Sequence, residues 1–97
     1  KYNSVKIKEG MILSNEPGYY KKGYYGIRIE NLVYVKKNKK NLQFENLTLA
    51  PIEAKLINYK LLSKSEKDYL FKYHLTIYST YYKFLNMKER KWLASLI

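Results

Sequence analysis

The chain has few of the residues from which common functional sites are built. It has no cysteine among its 97 residues, which excludes disulfide bonds and thiolate metal sites and implies no oxidising compartment. His74 is its one histidine and Asp68 its one aspartate, and both lie in a segment whose apolar residues recur at helical spacing. We expect both to be exposed or partly exposed helix residues.

Long apolar runs are also missing. None approaches the roughly 18 residues that a membrane-spanning helix needs. The first residues have no initiator methionine and no charged-then-apolar signal-peptide pattern. We expect a chain that begins inside a domain of a cytoplasmic protein, with no membrane partner.

Positive charge dominates the chain. Lysine and arginine total 19 against 8 acidic residues, for a net charge of +11. Lysines and tyrosines together can bind nucleic acid, because cations contact phosphates and rings stack on bases. Arg28 and Arg90 are the only arginines, which argues against specific base recognition, since bidentate guanine contacts favour arginine. The basic run at residues 36–41 lies between two strand-like segments, and we predict that it is a long, solvated hairpin loop.

Glu16 and Glu30 lie at equal distances from Gly23. If the chain folds back at Gly23, antiparallel pairing places the two glutamates opposite each other, with Cβ atoms about 4.5–5.5 Å apart. Facing carboxylates repel unless a cation lies between them or one is protonated. Carboxylate oxygens suit divalent ions such as Mn²⁺, Mg²⁺ or Zn²⁺. The pattern predicts either a metal-binding face or a solvated strand face on which Arg28 pairs with a glutamate.

Alternation along the strands determines what shares a face with the two glutamates. Tyr20 and Arg28 lie on that face, and Gly18 and Gly26 leave open space there. The opposite face is apolar and suited to a core, and its residues are Pro17, Tyr19, Ile27, Ile29 and, through a bend, Leu13.

Three strings in this order resemble the Xaa-Pro aminopeptidases (aminopeptidase P) of the pita-bread metallopeptidases. They are NEPGYY at residues 15–20, GIRIEN at residues 26–31 and FENLTLAPI at residues 44–52. The sequence after Leu61 resembles the C-terminal extension of the three-domain subfamily. The resemblance implies an α+β chain that is the C-terminal part of a pita-bread (creatinase/aminopeptidase-like) domain. Residues 1–60 would be the incomplete catalytic β portion, with a hairpin and a third strand, and residues 61–97 a helical extension.

The same resemblance implies roles for four residues. Glu16 matches a glutamate that binds one ion of a two-metal centre, and Glu30 matches the glutamate that bridges both ions. Arg28 matches an arginine beside the bridging carboxylate, and Tyr20 matches a tyrosine that hydrogen-bonds in the active site. The implied cofactors are two divalent ions, manganese with zinc or cobalt possible, which activate a hydroxide. The implied substrate is a peptide with proline in second position, from which the first residue is removed.

Two aspartates and a histidine that complete the family's site have no counterpart in this chain. We therefore expect the 97 residues alone to be inactive and to bind metal weakly. Two other interpretations stay open: a basic, tyrosine-rich nucleic-acid-binding protein, and a pita-bread remnant that lacks chemistry and serves as an interaction module.

The periodicity predicts strands over residues 11–20, 25–35 and 43–51 and a helix over residues 64–84. Capping boxes formed by Ser63 with Glu66 and by Asn86 with Glu89 predict two helix starts. The first helix has an apolar stripe, listed as Leu70, Tyr73, Ile77, Tyr81 and Phe84. The resemblance implies that the helical tail forms a homodimer, for which Trp92 is our candidate anchor.

Overall fold

A computed structural model describes residues 4–97, which divide into two compact units, the first ending at Thr48 and the second beginning at Leu49. The first unit contains five strands in two antiparallel sheets. The order in the three-stranded sheet is β1-β4-β5, and β2 pairs with β3 in a separate hairpin. The strands are β1 Ile12–Asn15, β2 Gly18–Lys21, β3 Tyr25–Arg28, β4 Asn31–Asn38 and β5 Asn41–Asn46.

One register runs through both ladders that surround Gly23. Gly18 pairs with Arg28 in the hairpin and Asn15 pairs with Asn31 in the larger sheet, so paired residue numbers always add up to 46. The pairing predicted from the symmetry around Gly23 is therefore confirmed. Gly23 itself has a φ of 74° in a turn that the Tyr24 amide closes by donating to the Lys21 carbonyl, a conformation that glycine tolerates.

The two long strands predicted around Gly23 are each broken. The first is interrupted at residues 16–17 and the second at residues 29–30. Pro17 has no N–H to donate to a ladder, so its carbonyl makes the contact there, accepting from the Ile29 amide at 3.1 Å. The break leaves the register unchanged.

The lysine-rich segment is not the long loop that we predicted. Strands β4 and β5 run through it and leave only Lys39 and Lys40 as the turn, with Lys39 at a φ of 56°. Lys36 contacts Glu45 on the neighbouring strand at 3.1 Å, and this contact lowers the pKa of the Glu45 carboxyl. The third strand ends at Asn46, earlier than predicted.

The apolar face of the hairpin does not form a core among the described residues. Tyr19, Ile27 and Ile29 are 62%, 49% and 49% exposed. A two-stranded hairpin has no second layer of its own to cover such a face. The first unit instead buries Val35 on β4.

The second unit is helical. Helix α1 spans Lys64–Tyr81 and α2 spans Met87–Ser95, and short 3₁₀ turns cover Ala54–Leu56, Tyr59–Leu61 and Tyr82–Phe84. Both predicted capping boxes are present, because the N-cap side chain and the third-position glutamate each accept a backbone N–H at both helix starts. Neither helix in residues 4–97 has the length and apolar character that crossing a bilayer requires.

The centre of this unit is the buried cluster of Tyr73, Ile77 and Leu93. Half-buried residues around it are Leu49, Ile52, Tyr78 and Leu85. The Tyr73 hydroxyl donates to the Ala50 carbonyl at 2.6 Å and so ties the preceding segment to α1. The predicted stripe is buried at Leu70, Tyr73 and Ile77, whereas Tyr81 and Phe84 are exposed near the end of the helix.

His74 contradicts our expectation, because it is 5% exposed, whereas Asp68 is exposed as predicted. His74 lies four residues after Leu70 and three before Ile77, which places it on the buried face of α1. Its Nε2 accepts the Ile52 backbone N–H at 3.2 Å, so the neutral ring carries its proton on Nδ1. Burial lowers the pKa of His74 below its ordinary value.

This lowered pKa predicts a loss of stability in mild acid. The unfolded chain protonates His74 first as the pH falls through about 6.5, so the stabilisation by neutral His74 is complete above that pH and is lost below it. In the full-length protein we expect hydrogen-exchange protection of α1 to fall progressively as the pH is lowered below about 6.5. His74→Gln, which keeps an acceptor but does not titrate, should flatten this dependence. Equal pH dependence in both proteins would contradict the prediction.

Candidate metal centre

Glu16 and Glu30 lie at the break between the two ladders. The shared register places them opposite each other, and neither belongs to a strand. At this point Pro17 prevents regular pairing. The two carboxylates thus stand at the end of the hairpin farthest from Gly23.

Both carboxylates converge on one guanidinium. Arg28 Nη1 lies 3.3 Å from Glu16 Oε2, and Arg28 Nη2 lies 3.4 Å from Glu30 Oε2. Arg28 is two residues from Glu30 on the same strand path, so its side chain lies on the same face. The structure therefore places the three charged side chains on one face, with a cation between the two carboxylates.

These contacts are weak enough to be exchanged. All three side chains are about half exposed, and ion pairs of this kind contribute roughly 0.2–1 kcal/mol each. One guanidinium balances only one of the two carboxylates, which leaves a residual negative charge. Carboxylate oxygens with spare charge are suitable ligands for a hard divalent cation. The donor set fits such an ion but does not complete its coordination.

Further ligands are missing from the part of the chain that the structure describes. Residues 4–97 contain no group of three or more histidine, cysteine or acidic side chains that could hold a metal ion. Asp68 and His74 lie on α1 in the second unit, away from the hairpin in sequence. The site in this chain therefore consists of two carboxylates and their arginine.

Tyr20 fills the space that we predicted to be open. It pairs directly with Gly26, and its ring lies over both Gly18 and Gly26. Tyr20 thus shares the face of Arg28 and the two glutamates, as the alternation predicts. The glycines leave room for this ring rather than for a ligand.

Sequence reasoning missed Ser14. Its hydroxyl donates to Glu16 Oε1 at 3.2 Å, which leaves Oε2 for the Arg28 contact. Alternation puts residues 14 and 16 on the same face of a strand, and this signal could have found the contact. Ser14 helps to orient the Glu16 carboxylate.

Family comparisons cover nearly all of the chain. The family described as "C-terminal region of peptidase_M24" matches residues 40–96. "Metallopeptidase family M24" matches residues 1–37. The two matches follow each other along the chain without overlap.

Two curated proteins illustrate the similarity. The chain is 42% identical to "Probable Xaa-Pro aminopeptidase P" of Coprinopsis cinerea over 102 residues, covering 95% of this chain and 16% of that protein. It is 38% identical to "Xaa-Pro aminopeptidase 1" of Dictyostelium discoideum over 105 residues, covering 98% of this chain and 17% of that protein. The chain thus spans about a sixth of the length of these relatives.

A solved structure shares the fold. It is the X-prolyl aminopeptidase of Caenorhabditis elegans, described as a cytosolic enzyme with a di-nuclear active site. The TM-score is 0.78 at 33% identity, over 93% of this chain and 16% of that one. The expected fold, a mixed α and β piece of a pita-bread domain with a C-terminal helical part, is confirmed. The chain belongs to the M24 metallopeptidases and includes the C-terminal region of that family.

Proposed function

We propose that this chain is the C-terminal part of a metal-dependent Xaa-Pro aminopeptidase, which removes the first residue from peptides with proline in second position. The observation that carries the proposal is the convergence of Glu16 and Glu30 on one guanidinium. It indicates that the fold brings two carboxylates to one point, where Arg28 balances only one of the two negative charges. The similarity to enzymes of this name supports the substrate class.

The site residues have distinct proposed roles. Glu16 would hold one divalent ion, and Glu30 would contribute its carboxylate to both ions of the pair. Arg28 lies beside the bridging carboxylate and keeps it oriented. Tyr20 donates a hydrogen bond at the active site.

Manganese is the proposed metal, and zinc or cobalt would also suit these ligands. When bound, the two ions supply an activated water nucleophile and polarise the scissile carbonyl. This chain contributes the two carboxylates, the arginine that limits their repulsion and the tyrosine hydroxyl. An upstream segment supplies the remaining aspartate and histidine ligands. Without that segment the chain is inactive.

The wider organisation is part of the same proposal. Residues 1–60 belong to the catalytic domain and residues 61–97 to the helical extension. The protein acts in the cytoplasm, in line with the cytosolic relative. Its partners are its peptide substrate and a second copy of itself, with no specific nucleic acid and no membrane.

A peptidase assay tests the function. Full-length protein freed of metal by chelation and resupplied with Mn²⁺ should cleave a peptide with proline in second position. It should cleave the same peptide with alanine in second position more slowly by about 10²-fold or more, because a site shaped for proline assembles its catalytic groups only around the correct residue. The isolated 97-residue chain, assayed in the same way, should show no turnover. Turnover by the isolated chain, or none by the metal-loaded full-length protein, would contradict the proposal.

The homodimer would use the helical tail. Trp92 on α2 is 62% exposed, and Met87 at the start of the same helix is also exposed. Exposed aromatic and aliphatic residues of this kind are typical of interface centres. This surface supports the proposal that the tail contributes to association.

Replacing the exposed tryptophan should weaken the dimer. We expect Trp92→Ala in the full-length protein to raise the dimer dissociation constant about 30-fold or more, because a central tryptophan contributes about 2 kcal/mol or more. Sedimentation analysis over a concentration series measures this. Lys91→Ala, in an exposed residue of the same helix that does not share the face of Trp92, is the control and should leave the constant unchanged. An unaltered dimer in Trp92→Ala would exclude this role for the tail.

A further inference from the structure

Two of the four glycines in the chain are not required by their backbone conformation. Gly10 and Gly23 have positive φ values of 84° and 74°, which other residues adopt only with strain. Gly18 and Gly26 lie within β2 and β3 and have no positive φ. Glycine inside a strand weakens it, because it adds chain entropy and packs no side chain. Their presence there needs another reason.

That reason is the ring of Tyr20. A Cβ atom at Gly26 would lie 2.7 Å from Tyr20 Cδ1 and 3.1 Å from Cε1. A Cβ atom at Gly18 would lie 2.7 Å from the Tyr20 hydroxyl oxygen and 2.9 Å from Cζ. Carbon atoms in favourable contact are about 3.5–4.0 Å apart, so neither methyl group fits. The ring can lie flat on the hairpin only when both positions lack a side chain.

The direction of the ring determines where the Tyr20 hydroxyl lies. The near edge of the ring lies over Gly26, directly opposite Tyr20, and the hydroxyl lies over Gly18, two residues back along β2. The side chain therefore points from Tyr20 towards the end of the hairpin that holds Glu16. Gly18 is also the register partner of Arg28. The hydroxyl is thus brought to the side of the charged cluster.

Little else holds Tyr20 in this position. Its side chain is 66% exposed. Within residues 4–97 no hydrogen bond of its hydroxyl fixes the ring. An exposed tyrosine on a strand otherwise samples several χ1 rotamers. Contact with the two glycines selects one of these rotamers.

We propose that Gly18 and Gly26 are positioning residues, which form a cradle that holds the Tyr20 hydroxyl beside Arg28 and the two glutamates. The inference rests on the proposed peptidase function, and it assigns to two glycines the placement of a group that acts in the reaction. The cradle holds the Tyr20 hydroxyl in place before the substrate binds. The entropy cost of ordering this side chain therefore does not add to the activation barrier.

A double-mutant cycle in the full-length protein tests the cradle. We expect Gly26→Ala to lower kcat by about 10- to 100-fold, because a displacement of about 1 Å is enough for such a loss. KM and bound metal should change little, which separates misplacement of Tyr20 from general disruption. In a Tyr20→Ala background, Gly26→Ala should add less than about a twofold effect, since no ring remains to displace.

A second pair isolates the hydroxyl. Gly18→Ala crowds the hydroxyl end of the ring, so its loss of kcat should resemble that of Tyr20→Phe, and combining the two should not multiply the losses. Gly23→Asn is the matched control, because asparagine tolerates a positive φ and nothing lies within 4 Å of a Cβ at that position. It should leave kcat unchanged. Multiplicative losses in both cycles would overturn the proposal.

A stability cycle keeps the two proposals distinguishable. If the metal-loaded wild-type protein cleaves no Xaa-Pro peptide, the peptidase function fails, and the cradle is then judged by hydrogen-exchange protection of β2 and β3. Gly26→Ala should reduce this protection in the presence of Tyr20 and not in the Tyr20→Ala background. Equal reductions in both backgrounds would overturn the cradle whether or not the protein is a peptidase.

Discussion

Glu30→Gln should abolish most of the activity of the full-length protein, and this is the largest effect that we expect. Glutamine keeps the size and one oxygen of the side chain but removes the charge that a divalent ion requires. Because Glu30 is proposed to bridge both ions, its loss weakens two sites at once. We expect kcat/KM to fall by at least about 10³-fold, equivalent to about 4 kcal/mol of transition-state stabilisation.

Metal content distinguishes this explanation from a loss of folding. After dialysis against metal-free buffer, Glu30→Gln should retain less than about one ion per protomer, where the wild-type protein retains about two. Glu16→Gln, at the residue proposed to hold a single ion, should lose one. Elemental analysis of the dialysed proteins measures both values.

Glu45→Gln is the matched control for this prediction. Glu45 is a comparably exposed glutamate on β5, and it also contacts a basic side chain, Lys36. Its replacement should change neither metal content nor kcat/KM. A Glu30→Gln protein with full metal content and normal turnover would remove the basis of the proposed metal centre.

The hairpin register was predictable because it depends on a single symmetric feature. Glu16 and Glu30 are equidistant from a glycine that can turn the chain, and antiparallel pairing then leaves no freedom in which residues face each other. The same local logic applies to the capping boxes, whose partners are three residues apart. Features that depend on neighbours in sequence could therefore be predicted from the sequence.

The failures have two physical origins. Residues 36–41 form the tip of a tight β-hairpin although lysine and asparagine favour loops, because pairing between β4 and β5 outweighs local preference. His74 is buried because it lies four residues after Leu70 and three before Ile77 on α1, a helical spacing that our expectation from residue type overlooked.

The site itself was only partly predictable. Alternation along the strands placed Arg28 and Tyr20 beside the glutamates, because side-chain direction in a strand is a local property. It did not reveal that the ring of Tyr20 occupies the space over Gly18 and Gly26, since that depends on a rotamer. Ligands that lie outside the chain cannot be predicted from it at all.

Ile77→Ala should have the largest effect on stability. Ile77 is 1% exposed and lies in the buried cluster with Tyr73 and Leu93. Truncation to alanine removes buried methyl and methylene groups and leaves a cavity that rigid neighbours fill only in part, which costs about 2–5 kcal/mol. Domains are stable by only about 5–15 kcal/mol, so this loss is a large fraction of the total.

Hydrogen exchange in the full-length protein measures this effect locally. The free energy of opening of α1 should fall by about 2–5 kcal/mol in Ile77→Ala, while β4 and β5 keep their protection, because the chain divides into two compact units. Leu75→Ala removes a similar volume from the same helix at a half-exposed position and should cost less than about 1 kcal/mol. An Ile77→Ala loss no larger than that of Leu75→Ala would mean that α1 does not pack through Ile77. Such a result would also remove the reason for the burial of His74, because both residues lie on one face of the helix.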